Sequence, residues 1–88
     1  MSRFSAILPN KKQISWGFDR PLGTYYLIEF KSRGEWLFNI SSHNSIKPHP
    51  DTPDKMDYDK EEILELMQRY DDAIPEEHKI AIILDLPF

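Results

Sequence analysis

The chain has 88 residues, a formal net charge of -4, 40% hydrophobic residues and no cysteine. That length suits one small domain, and the lack of thiols excludes disulfides, thiolate zinc sites and cysteine nucleophiles. The longest apolar run, Ile80 to Leu84, is too short for a signal-peptide core or a membrane span, so a cytoplasmic domain is expected.

In chain order, residues 1–12 give no clear period. Phe4, Ile7 and Leu8 suit either an added edge strand or packing against a sheet. Ile14, Trp16 and Phe18 alternate with Gln13, Ser15 and Gly17, the period of a half-buried strand. Asp19-Arg20-Pro21-Leu22-Gly23 reads as a turn, because Pro presets its φ and Gly tolerates a positive one. Thr24 to Lys31 is a second strand, rich in aromatic and β-branched residues. Ser32-Arg33-Gly34 is a hairpin loop, and Glu35 to Ser42 a third strand. Alternation then assigns one apolar face to Ile14, Trp16, Phe18, Tyr26, Ile28, Phe30, Trp36, Phe38 and Ile40. It leaves Tyr25, Leu27, Glu29, Lys31, Leu37, Asn39 and Ser41 on a wetter face.

His43 to Met56 carries Pro48, Pro50 and Pro53 and is expected to be a loop. A helix starts near Asp57 or Asp59, with Ile63, Met67, Tyr70 and Ile74 as its apolar stripe. Pro75-Glu76-Glu77 opens a second helix. The isoleucines of residues 78–84 would also suit a strand; the preceding cap pattern selects helix. Leu86 and Phe88 are expected to tuck against the core. The fold class is therefore α+β: an antiparallel meander of three strands, or four if residues 1–12 or 78–84 join it, with two C-terminal helices on one face. Residues 1–42 are mainly β and 57–88 mainly α, joined by the 43–56 loop.

Charge divides along the chain. Residues 1–48 hold seven Lys/Arg against three Asp/Glu, a net of +4, and residues 49–88 hold four against twelve, a net of -8. Such a split suits either solvated outer faces or a surface that meets a partner of opposite charge. Phosphate loops, a GxSxG elbow and an HExxH helix are all absent, so no enzyme and no cofactor is expected. Three surfaces remain as candidates. The wet sheet face offers Arg20, Tyr25, Leu27, Lys31, Arg33 and Leu37 to a partner or to a second copy of the chain. Asp57, Asp59, Glu61, Glu62 and Glu65 form an acidic face that suits a basic partner. His43, His49 and Asp51 could ligate a metal, but without a recognised spacing. The expected function is thus a small non-enzymatic protein-interaction module, such as an inhibitor or regulator of a basic protein. Nucleic-acid binding by the basic strand face, with Tyr25 as its one outward aromatic, is the alternative. Metal binding at the His/Asp loop is the second.

Overall fold

The computed structural model describes residues 3–31 and 34–88. Four strands, β1 (Phe4–Ile7), β2 (Gln13–Asp19), β3 (Thr24–Phe30) and β4 (Trp36–Ser41), form an antiparallel meander in the order β1-β2-β3-β4. Two helices follow, α1 (Lys60–Met67) and α2 (Glu76–Ile83), with a single 3₁₀ turn (Gln68–Tyr70) continuing α1. The fold is α+β, and the fourth strand comes from residues 4–7.

Local chemistry accounts for each boundary. Gly23 closes the β2–β3 turn at φ 65°, and its N–H donates to the Asp19 carbonyl at 2.7 Å. Asp59 caps α1 in a reciprocal capping box: its carboxylate accepts from the Glu62 N–H at 2.8 Å, and Glu62 accepts from the Asp59 N–H. Residues 78–84 are helical up to Ile83, and the chain leaves α2 through Asp85 at φ 60°.

The core corrects the strand faces expected from alternation. Register pairs Trp16 with Leu27 and Leu27 with Ile40, and pairs Phe18 with Tyr25. Tyr25 and Leu27 therefore lie under the helices, while Tyr26, Ile28 and Phe30 point the other way. A bulge opposite Glu29 and Phe30 shifts β4, so that Phe30 pairs with Trp36 and Glu29 with Phe38. The extra residue turns Trp36 outward, 38% exposed, and tilts Leu37 against the core. The buried layer combines Ile14, Trp16, Tyr25, Leu27, Phe38 and Ile40 of the sheet with Tyr58, Ile63, Leu66, Met67, Ile74 and Ile82.

Both chain ends are fastened to this layer. Phe4, Trp16, His78 and Phe88 form one aromatic cluster; the Phe88 ring lies 4.8 Å from His78 and 6.1 Å from Tyr25. Trp16 Nε1 donates to His78 Nδ1 at 3.0 Å, and the Tyr25 hydroxyl donates to the Leu86 carbonyl at 3.0 Å. Phe88 is tucked in as expected. Leu86 is not: its side chain is 49% exposed, because its carbonyl rather than its side chain is held.

The proline-rich loop is ordered by one buried tyrosine. Tyr58 is 2% exposed; its hydroxyl accepts from the His49 N–H at 3.0 Å and bonds Thr52 Oγ1 at 2.5 Å. Earlier in the loop, Ile46 and Lys47 turn back to bridge Asn39 of β4.

Candidate functional site

The sheet has two faces with apolar side chains, and the helices cover one of them. On the other, the side chains of Tyr26, Ile28 and Phe30 of β3 stand beside Trp36 of β4. Leu22 and Ile46, 65% and 68% exposed, extend this surface at one end. Two hollows indent it. One, of about 350 Å³, lies between Arg3, Ser5, Gln13, Ser15, Ile28, Phe30 and Trp36. The second, of about 320 Å³, runs from Arg3 and Ile28 past Tyr26 to Leu22 and Ile46. Small residues form the floor: Ser15 is 5% exposed, held by its hydroxyl to the Phe4 carbonyl at 3.0 Å, and Thr24 is 5% exposed. No helix or strand among the described residues covers this face.

The charge of this face is basic. Arg3 lines both hollows. Lys47 stands beside Trp36 and donates to its carbonyl at 2.8 Å. Asp19 is the one acid lining a hollow.

The residues selected from sequence fall into three groups. Arg20, Tyr25, Leu27, Lys31, Arg33 and Leu37 do not form one surface. Arg20 and Lys31 are exposed, Tyr25 and Leu27 are buried core, and Leu37 is half-buried in the bulge. Arg33 lies outside the described residues. Burial and the neighbouring Asp85 carboxylate raise the Tyr25 hydroxyl above its ordinary pKa, so it remains a donor to Leu86. What sequence reasoning missed is the outward set Tyr26, Ile28, Phe30 and Trp36, together with Arg3.

The acidic group is split by its own local bonds. Asp59 and Glu62 cap α1, and Glu62 also pairs with Lys55. Glu61 and Glu65 are exposed along α1, and Asp57 is exposed just before it.

The histidine group is not gathered around one point. His43 is exposed after β4, whereas His49 is 7% exposed and packs on Phe38, ring centroids 4.7 Å apart. Its Nδ1 accepts from the Asp51 N–H at 3.1 Å, and the Asp51 carboxylate pairs with Arg69. Among the described residues, no three His, Asp or Glu side chains stand where they could share a metal.

These bonds give the loop a pH dependence. Burial lowers the His49 pKa from 6.5, against the opposing pull of Asp51, so the fold prefers neutral imidazole. The unfolded chain then takes up this proton first as pH falls. Stability from His49 is complete above 6.5 and is lost as pH drops through its lower native value. Asp51 is held below 3.8 chiefly by its hydrogen bond to Arg69, so its contribution is lost only in stronger acid. The melting temperature is expected to fall as pH drops below 6.5, the ordinary imidazole value from which His49 is lowered. His49→Asn keeps an acceptor for the Asp51 N–H without a titrating ring, and should flatten that slope in thermal melts across that drop in pH.

Comparison with protein-family models, with curated proteins and with solved structures finds no match to this chain, so the reading of its surfaces rests on their geometry.

Proposed function

We propose that this chain is a non-catalytic protein-docking module whose open sheet face receives an apolar segment flanked by acidic residues. One observation carries the reading: β3 is apolar on both sides, Tyr25 and Leu27 inward and Tyr26, Ile28 and Phe30 outward, yet one side has a covering layer. Strands apolar on both faces belong to sheets covered on both faces. Arg3, which lines both hollows, and Lys47 beside Trp36 favour an acidic occupant. The same charges disfavour a face-to-face pair of identical chains, which would set base against base. An acidic partner replaces the basic one expected from the helical acids, because part of that acidic group is bound up in capping and ion pairing.

Nucleic acid is the competing occupant. Three aromatics rather than one face outward, which favours stacking. The net charge of -4 and the aliphatic Ile28, Leu22 and Ile46 among the rings favour a protein.

A displayed library of amphipathic peptides with acidic flanks, selected on the wild type and counter-selected on Ile28→Asp, tests this. Recovered peptides should bind saturably, weaken with salt, and lose affinity about tenfold or more on Ile28→Asp. Equal binding to the variant, or binding of single-stranded oligonucleotides with no selected peptide, would overturn the proposal. Sedimentation showing a stable dimer that Ile28→Asp dissociates would overturn it in favour of self-association.

A further inference from the structure

A separate cleft lies on the helix-covered side of the sheet. We propose that the cleft between the end of β1 and the 3₁₀ turn binds a small organic cation, an alkylammonium or alkylguanidinium, through the buried carboxylate of Glu29.

The cleft holds about 680 Å³, within the range of small-molecule sites. Glu29 lines it from the helix-facing side of β3, in a row with Ile14 and Phe38, and is only 7% exposed. A leucine would suit that row of the core better. Burying a carboxylate is costly unless a cation or several donors meet it. Here the Tyr70 hydroxyl is its neighbour in the cleft. Among the described residues no Lys, Arg or His pairs with it. Burial and the Glu29 charge push Tyr70 up to about 12, so its hydroxyl stays protonated, a neutral neighbour rather than a countercharge for the carboxylate.

The rest of the cleft fits the same ligand. Arg69 stands at its rim, but its guanidinium is bound to Asp51. Asp72 adds a second carboxylate at the rim. Ala6, Leu8 and Ala73 supply apolar wall for a short alkyl stem. A cation entering here gains a charge-assisted hydrogen bond in a partly desolvated setting, stronger than the same contact at an exposed acid.

The experiment is a titration of the folded 88-residue protein with butylammonium, butylguanidinium, butyrate and butanol, followed by backbone amide shifts. Both cations should give saturable shifts at Ala6, Glu29 and Ala73, with a Kd of about 1 mM or tighter. Butyrate and butanol should give none. Glu29→Gln keeps the shape and should weaken binding about tenfold or more, whereas Asp72→Asn, on the exposed rim, should weaken it about twofold. No saturable shift with either cation, or unchanged affinity in Glu29→Gln, would overturn the proposal. A further arm uses capped Gly-Lys-Gly and Gly-Arg-Gly peptides. Tighter binding of the peptides identifies a protein side chain as the source of the cation, and tighter binding of the free amines identifies a metabolite.

Discussion

Leu27→Ala is expected to cost about 2–5 kcal/mol, and Ile28→Ala, one residue later, less than about 1.5 kcal/mol. Leu27 is fully buried between Trp16 and Ile40, so its removal opens a cavity that neighbours on two strands cannot fill. Ile28 faces the open side, half-buried, and its loss exposes little that was sealed. Urea denaturation should therefore give a large drop in midpoint for the first variant at an unchanged slope, and a small one for the second. The reverse order would mean that Tyr26, Ile28 and Phe30 form the inner face after all.

Trp16→Ala should be the more damaging of the aromatic substitutions, at about 3–5 kcal/mol. The indole is 3% exposed and central to the cluster that fastens both chain ends. Its loss removes core area and also the donor to His78, which then faces a void. For a domain whose whole stability is of the order of 5–15 kcal/mol, this is a large share. Trp36→Phe, on the open face, should cost under about 1 kcal/mol and leaves Trp16 as the sole indole reporter. Its emission in that variant should be blue-shifted in the native state and move red with the same midpoint as the backbone circular dichroism. A separate, earlier shift would show that the chain ends detach before the sheet unfolds.

Much of this architecture was legible in the residues. Turn chemistry at Asp19 to Gly23, the acidic helix start at Asp59 and the Pro-Glu-Glu opening of α2 are local signals, and each element begins where its signal stood, although α1 ends at Met67 and leaves Ile74 of its expected stripe beyond the helix. The faces of β3 were not legible, for a specific reason. Tyr25, Tyr26, Leu27 and Ile28 are all apolar, so alternation there has no contrast. The first polar residue, Glu29, suggests the opposite phase, because a carboxylate in a strand ordinarily points to water. Its burial under Tyr70 is a tertiary fact that no strand period encodes. Trp36 was misplaced by the bulge, where one extra residue reverses the parity of everything before it. Local rules failed where the carboxylate sits, and such conflicts concentrate at functional sites. The order of the 43–56 loop was likewise hidden, since it depends on Tyr58, a residue beyond it.

The return of Ile46 and Lys47 to Asn39 has a consequence for assembly. A sheet with apolar residues on both sides would aggregate readily if its margins could also recruit new strands. Here the Asn39 amide and carbonyl at the middle of β4 are already taken, and the opposite margin, β1, is four residues long and is followed by Pro9. An extended peptide therefore finds no continuous ladder to join on either side. Lateral growth into fibres is disfavoured at both margins, and the aromatic surface stays open without the sheet readily becoming a template for its own polymer.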